Sequence, residues 1–428
     1  VKRIALVSLG CPKNLVDSEY ICERLSEAGY EIVSEPKDAD AVVVNTCAFL
    51  TSAVEESVRT MLELLEEGKQ VICTGCLVSR YGPELIAELP EVKLFAAPGT
   101  YGNLAEALKS GTQLLSACYG GVVRRTHATT GSFAYVKVSE GCSNNCSYCL
   151  IPSIRGGLVS KPVDEVVGEC ADLAARGVKE VVLVAQDLGS YGHDLGRGVR
   201  LPRLLEAISR VDGIEWIRLM YMHPATTTPE VVKAMRNLPK VVPYIDLPIQ
   251  HVSDRVLAAM GRKGGADAVR RAFDLLKTEA PEVWIRSTVM VGHPGEDGKA
   301  FLELEGFIRQ GLIDHLGVFT YSPEEGTRSA AMRNSVPKKV KEERSARIMA
   351  IQQEVSRRRL EGLVGRTLRV LVEGYHPETD LLLKGRAAFQ APEVDGHVII
   401  NEGTARFGSF SEVEITEAME YDLVGRIL

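Results

Sequence analysis

Short apolar runs alternate with amphipathic stretches along the first part of the chain. Ile4 to Leu9, Ala41 to Asn45 and Gln70 to Thr74 read as buried strands, and Asn14 to Ala28, Thr51 to Glu66 and Tyr81 to Leu89 carry apolar residues at helical spacing. Strands and helices in alternation predict an open parallel α/β sheet. Such sheets take ligands where loops leave the carboxyl ends of the strands. A cysteine stands at that place after each run, namely Cys11, Cys47 and Cys76, so residues distant in sequence are expected to converge.

From Phe133 to Ser335 the alternation recurs with six strand-like runs: Ala134 to Ser139, Glu180 to Ala185, Trp216 to Tyr221, Val242 to Leu247, Val283 to Val291 and Leu316 to Tyr321. Val163 to Ala175, Pro202 to Val211, Ala266 to Glu279 and Lys299 to Arg309 are helical stretches between them. Six such units predict a partial (β/α)6 barrel whose functional groups lie at the carboxyl ends of its strands. Lys338 to Arg359 is rich in Lys and Arg and reads as one exposed helix. After it, short alternating strands broken by Gly and Pro predict a small all-β barrel. The expected architecture is α/β multidomain, divided at 1–125, 126–360 and 363–428.

Composition narrows the functional classes. The 428 residues are 45% hydrophobic and 25% charged, as in an ordinary globular protein, and no apolar run reaches the length of a membrane span. The opening segment has too short an apolar part for a secretory signal, so a cytoplasmic protein without membrane contact is expected. A net charge of −7 argues against a generic nucleic-acid binder. Ten cysteines in a reducing compartment point to metal or cluster ligation rather than disulfides.

The strongest local signal is CSNNCSYC, in which Cys142, Cys146 and Cys149 follow directly on a predicted strand. Three thiolates on one loop can hold three corners of a cubane 4Fe-4S cluster and leave the fourth iron open. A structural zinc ion wants four protein ligands, and no fourth Cys or His lies nearby in sequence.

An open iron with Tyr148 just before the last cysteine resembles the radical S-adenosylmethionine enzymes. SLGCPKN (Ser8 to Asn14), VVNTC (Val43 to Cys47) and TGC (Thr74 to Cys76) narrow the resemblance to the methylthiotransferases, as do GCSNNCSYCLIPSIRG, DLPIQHVSDRVLAAMGR, VGHPGE and YSPEEGT. The likeness spans essentially the whole chain. It implies two 4Fe-4S clusters, a radical-generating one on Cys142, Cys146 and Cys149 and an auxiliary one on Cys11, Cys47 and Cys76. It also implies S-adenosyl-L-methionine as methyl donor and radical source, and a TRAM domain as the closing barrel. On spacing alone Cys73 competes with Cys76, and the TGC context favours Cys76. His293 departs from the family, which more often has Phe there.

Other residues are weighed by position. Gln186 and Asp187 close the second barrel strand, Gln250 follows the fourth and Arg286 lies in the fifth; Tyr148, Gln186, Gln250 and Arg286 are candidates for the cofactor pocket. Arg155 is a candidate for a substrate carboxylate. No side-chain acid or base is assigned. Cys22 and Cys170 read as small core hydrophobes, His223 and His251 as satisfied core histidines, and Cys118 is left unassigned.

The methylthiotransferases divide by substrate. Gly10 to Glu19 reads GCPKNLVDSE, similar to the branch that modifies an aspartate of small-subunit ribosomal protein S-twelve; the branch that modifies an adenosine of tRNA usually reads GCQMN. Residues 363–428 hold six Lys and Arg against eleven Asp and Glu, a net −5 that repels phosphate and suits a basic ribosomal protein. The resemblance thus implies SCH3 insertion at the β-carbon of that aspartate, in the free protein or in the ribosome. It also implies an electron donor such as flavodoxin or ferredoxin and a sulfur donor. A tRNA enzyme is the alternative, with Lys338 to Arg359 touching RNA; a cluster scaffold without catalysis is a further one.

Overall fold

A computed structural model of the chain describes residues 2–117, 125–126, 131–196 and 198–428. Cys118 lies outside the described residues.

The first unit is a five-stranded parallel sheet. Its strands are β1 (Arg3–Ser8), β2 (Glu31–Val33), β3 (Ala41–Thr46), β4 (Gln70–Gly75) and β5 (Leu94–Ala96), in the order β2-β1-β3-β4-β5. Helices α1 (Pro12–Glu27), α2 (Thr51–Glu66), α3 (Cys76–Glu88) and α4 (Leu104–Ser110) cover both faces, which is why β3 is buried along its whole length and apolar from Ala41 to Val44. The register sets Ser8 level with Asn45 and Asn45 level with Thr74. The three strands therefore end together, and Cys11, Cys47 and Cys76 leave from one edge. Helix α3 starts five residues before the expected Tyr81, which instead marks a kink (φ −137°, ψ 20°) two residues ahead of Pro83. Proline removes a backbone donor and so breaks the helical run that the periodicity followed.

In the central unit, β6 (Phe133–Lys137), the two-residue strands β7 (Ser139–Glu140) and β8 (Val159–Ser160), and α5 (Ile151–Arg155) precede the repeating units. These bring α6 (Val163–Ala175), β9 (Glu180–Val184), α7 (Leu201–Ser209), β10 (Trp216–Leu219), α8 (Pro229–Asn237), β11 (Val241–Asp246), α9 (Asp254–Ala259), α10 (Gly265–Glu279), β12 (Trp284–Val291), α11 (Gly298–Ile308) and β13 (His315–Thr320). The six long strands form one parallel sheet in chain order, β6-β9-β10-β11-β12-β13. This is the partial (β/α)6 barrel. Val136, Leu183, Leu219 and Ile285 pack outward under the helices. On the other face, Tyr135, Val184, Trp216, Tyr244 and Trp284 share a second core with α1 and with the carboxy-terminal barrel.

That barrel is closed from β14 (Thr367–His376), β15 (Thr379–Ala387), β16 (Val398–Glu402), β17 (Ser409–Ala418) and β18 (Leu423–Ile427), in the order β14-β15-β16-β18-β17. It seats against the inner face of the central sheet. Trp284 stacks on Phe389 with ring centroids 4.0 Å apart. The wholly buried Arg218 donates to Glu180 at 2.6 Å and to the Ala388 carbonyl at 2.7 Å, and Arg386 reaches the other oxygen of Glu180 at 2.6 Å. The domain thus seals part of the inner face of the central sheet with both apolar and hydrogen-bonded polar groups.

The helix α12 (Lys338–Glu361) is not the exposed element its composition suggested. Ile348, Ile351, Val355 and Leu360 are buried along one stripe. Long charged side chains mask that stripe in the sequence, and several are themselves engaged: Arg344 with Glu296 at 2.7 Å, Arg359 with Asp314 at 2.8 Å, and Arg347 with Glu305. Among the described residues no helix is long and apolar enough to cross a membrane.

Candidate functional site

The first cysteine group sits at the edge where β1, β3 and β4 end. Cys11 is the residue before α1, Cys47 follows β3 and Cys76 opens α3. Gly10, at φ +91°, lets the Cys11 turn close on Cys47; a Cβ there would lie 2.7 Å from the Cys47 Cβ. Only glycine permits both that φ and that approach. Two asparagines from the motifs lace the loops together. Asn14 Nδ2 donates to the carbonyls of Leu9 and Thr46, both at 2.9 Å, and Asn45 Nδ2 donates to the Asn14 carbonyl at 2.8 Å.

Burial pushes the Cys76 thiol up to about 11; Arg155 opposes the shift, and the neighbouring Cys47 and Cys11 add to it. Cys47 is raised by burial too, again with Cys11 beside it. These three sulfurs therefore share one electrostatic neighbourhood. Cys73 does not join them. It pairs with Val44 inside the sheet, is fully buried among apolar side chains and is pushed up to about 12 by that burial.

The second group lies on the loop after β7. Backbone N–H groups point at two of its sulfurs, Asn144 to Cys142 and Ile151 to Cys149, each at 3.4 Å. The Arg262 guanidinium sits beside Cys146 and Tyr148. Ser147 pins the loop: its N–H donates to Met260 O and its hydroxyl to Ala259 O, both at 2.8 Å, and it accepts from the Ser329 hydroxyl at 2.7 Å. Asn144 Nδ2 donates to Asp187 at 2.7 Å, tying the loop to the end of β9. The buried His293 contacts Ser329 through Nε2 at 2.8 Å and Pro294 O through Nδ1 at 3.0 Å, so this departure from the family braces the same loop.

Among the described residues no three His, Cys, Asp or Glu side chains converge tightly enough to hold a single metal ion. A cubane makes a different demand, because each thiolate takes its own iron. Burial raises Cys142 and pushes Cys149 up to about 12, so deprotonation of these thiols calls for a metal or a cation. Two sulfurs facing N–H donors and two facing guanidinium groups fit bound thiolates. Two residues past the end of β9, both amide atoms of the Gln186 side chain are buried without a partner, as a pocket for a polar cofactor would leave them.

The remaining sequence candidates divide. Tyr148 packs edge-on to His293 at 6.3 Å between ring centroids. Gln250 takes a left-handed conformation at φ 68°, and its backbone bridges to Thr288 and Met290. Arg286 lies between two carboxylates of the chain, Asp246 at 3.7 Å and Asp395 at 3.4 Å. Arg155 is buried, its Nη1 shared by Asp17 at 2.9 Å and Glu140 at 3.0 Å and its Nε aimed at Cys76 at 3.3 Å. The carboxylate anticipated for Arg155 is thus supplied by the chain itself. Cys170 is wholly buried, and Cys22 is largely covered. His223 and His251 are buried; each accepts a backbone N–H at Nδ1, and their Nε2 atoms have no hydrogen-bond partner. Arg262 and Lys13 were not singled out in the sequence, although both stand inside the quoted motifs, and Asp246, which opens one of those motifs, is buried with one unpartnered oxygen.

Residues 3–97 match the family described as Uncharacterized protein family UPF0004, 136–308 the Radical SAM superfamily and 364–428 the TRAM domain. Among solved structures, the radical S-adenosylmethionine methyltransferase TsrM from Kitasatospora setae is similar in fold at a TM-score of 0.58 and 14% identity, over 74% of this chain and 75% of that one. The chain is 44% identical to the ribosomal protein uS12 methylthiotransferase RimO of Anaeromyxobacter sp. (strain K), over 100% of this chain and 93% of that protein. It is also 44% identical to the protein of that name from Moorella thermoacetica, over 99% of each. The chain belongs to the radical S-adenosylmethionine methylthiotransferases, in the family of the ribosomal protein uS12 enzymes.

Proposed function

We propose that the chain replaces a β-hydrogen of an aspartate in ribosomal protein uS12 with a methylthio group. The observation that carries this reading is the pairing of two three-cysteine groups at the strand ends of neighbouring parallel sheets, in a chain with full-length uS12-modifying relatives. On this reading Cys142, Cys146 and Cys149 hold a radical-generating 4Fe-4S cluster, and Cys11, Cys47 and Cys76 hold an auxiliary one. Bound S-adenosylmethionine and clusters supply the organic radical, the methyl group and the sulfur.

The chain's own residues bind, orient and exclude water. Asn144 N–H and Ile151 N–H stabilise thiolate charge on Cys142 and Cys149, and Arg262 and Arg155 do so on Cys146 and Cys76. Gln186 offers an unspent donor and acceptor to the cofactor. Tyr148, Gln250 and Arg286 line the same strand ends, Arg286 by orienting Asp246. The carboxy-terminal barrel keeps water from the inner face through Phe389 and Trp284.

The units 1–125, 126–360 and 363–428 carry the auxiliary cluster, the radical chemistry and the docking of a basic protein. An electron donor such as flavodoxin or ferredoxin, a sulfur donor and a cytoplasmic setting complete the proposal. A tRNA substrate is less well supported: Arg344, Arg347 and Arg359 of α12 are taken by Glu296, Glu305 and Asp314. The test is anaerobic turnover of a uS12 loop peptide with methyl-labelled S-adenosylmethionine. The wild type is expected to place label on the aspartate and release 5′-deoxyadenosine, and Cys146→Ala to do neither; 5′-deoxyadenosine from Cys146→Ala overturns the assignment.

A further inference from the structure

Lys13 occupies a position that stability alone does not favour. It lies in the first turn of α1, where the helix dipole disfavours a cation, and it is only 8% exposed. Its ammonium makes no hydrogen bond or ion pair among the described residues. Its one close partner is the ring of Tyr221, 3.6 Å from the centroid. A cation over an aromatic face is held, but its three N–H donors stay unspent.

Its surroundings place it at the junction of the two cysteine-bearing units. Lys13 stands two residues after Cys11, and the Tyr221 hydroxyl lies among Lys13, Cys11, Asp246 and Arg286. Tyr221 itself sits at φ 62°, a conformation costly for a bulky residue, fixed by a bond from its N–H to Asp246 at 3.0 Å and from the Leu188 N–H to its carbonyl at 3.0 Å. Of the nearby carboxylates, Asp395 is committed to Arg286 and the Tyr244 hydroxyl, and Asp246 accepts from the Tyr221 N–H through one oxygen while the other, without a hydrogen-bond partner, faces Arg286 at 3.7 Å. A largely buried cation that makes no hydrogen bond or ion pair among the described residues thus stands next to a candidate cluster ligand and to the strand ends of the radical barrel, with Asp246 near enough to act on by charge but not to hold it.

We propose that Lys13 is the specificity-determining residue for the substrate side chain, its ammonium receiving the carboxylate of the aspartate to be modified. This rests on the reading that the substrate is an aspartate. The chemistry favours that occupant, because the β-carbon is bonded directly to the side-chain carboxyl carbon. Gripping the carboxylate fixes the position of the C–H bond to be broken between the two units, and an asparagine at the same place offers no charge to grip.

The experiment measures peptide binding, with mass spectrometry of the same peptides after anaerobic turnover as a second readout. Two uS12 loop peptides, with Asp or Asn at the target position, are titrated by fluorescence anisotropy against anaerobically reconstituted wild type, Lys13→Met and Lys13→Arg, with the iron content of each measured. The wild type is expected to bind the Asp peptide about tenfold to a hundredfold more tightly than the Asn peptide. Lys13→Met should bind both at the weaker level with unchanged iron, and Lys13→Arg should recover part of the preference. Retention of the Asp preference by Lys13→Met overturns the proposal, as does loss of iron in Lys13→Met that Lys13→Arg restores, which marks a structural support of Cys11. Equal wild-type binding of both peptides, with the Asp peptide still modified, overturns the role of Lys13 and leaves the substrate reading standing. Modification of neither peptide overturns the substrate reading and the role of Lys13 with it.

Discussion

The Nε of Arg155 lies 3.3 Å from the sulfur of Cys76, at the end of a five-residue helix that starts two residues after Cys149. One short rigid element therefore runs from one cysteine group to the other. Arg155 also binds Asn14, Asp17 and Glu140, so the contact belongs to a buried network rather than to a single pair.

Replacing Arg155 by Gln leaves Asp17 and Glu140 with only Lys137 between them. Breaking a buried ion pair of this kind costs about 3 to 5 kcal/mol. Thermal unfolding should show that loss, and the iron content should fall toward half of the wild type as the auxiliary cluster loses its charge support. Arg155→Lys should retain most of the iron; a full complement in Arg155→Gln contradicts the electrostatic role.

Cys73 and Cys76 stand three residues apart and should behave oppositely. Cys76→Ser is expected to abolish the auxiliary cluster, removing about four iron atoms per chain. Cys73→Ser should keep the iron and lose roughly 1 to 3 kcal/mol of stability, from a hydroxyl placed in the apolar interior of β4. Iron assay with urea unfolding separates the two.

Three buried histidines make the fold acid-sensitive. Burial holds His223 and His251 down to about 3 and His293 to about 4, below their ordinary value of 6.5. Each stays neutral in the native state while the unfolded chain takes up a proton below 6.5, so stability falls as pH drops from 6.5 toward 4. Asp246, raised to about 6 by burial, acts in the opposite sense over part of that range, as do Glu296 and Asp314, also raised by burial, while Asp17, Glu169 and Glu180, buried but held low by neighbouring cations, add to the loss in acid. Urea unfolding between pH 7 and about 5 should show decreasing stability with acid, with a slope reduced by about one proton in His251→Gln.

The carboxy-terminal barrel should be inseparable from the radical barrel. Phe389→Ala removes the stacking partner of Trp284 and is expected to cost about 3 to 5 kcal/mol. Truncation after Gly362 would uncover Trp284, Trp216 and Tyr244 together, and a dye that reports exposed apolar surface should bind the truncated chain strongly. An independently stable, non-binding truncation contradicts this packing.

Much of the architecture was legible because parallel strands buried on both faces leave unbroken apolar runs, as Ala41 to Val44 does. The three-residue strands β2 and β5 lie at the edges of their sheet and are too short to stand out by periodicity. In α12 the four buried apolar residues are diluted among long cations, so a half-buried helix read as a solvated one. The cysteine groups carried their own spacing, and their positions at strand ends followed from the alternation of elements. Contacts across the chain were not legible. Arg155 meets Asp17 over 138 positions, and no local pattern tells a loop arginine bound internally from one awaiting a substrate. Lys13 carries no signal of its own in the sequence, because only the fold sets its ammonium over the ring of Tyr221.

The most direct test of the central claim is a competition in one anaerobic reaction, with reconstituted enzyme, reductant, sulfide and methyl-labelled S-adenosylmethionine, offering a uS12 loop peptide and unmodified tRNA together. Mass spectrometry of both substrates reads the outcome. The account predicts label as a methylthio group on the peptide aspartate and none on the tRNA; label on the tRNA with an unmodified peptide would contradict it.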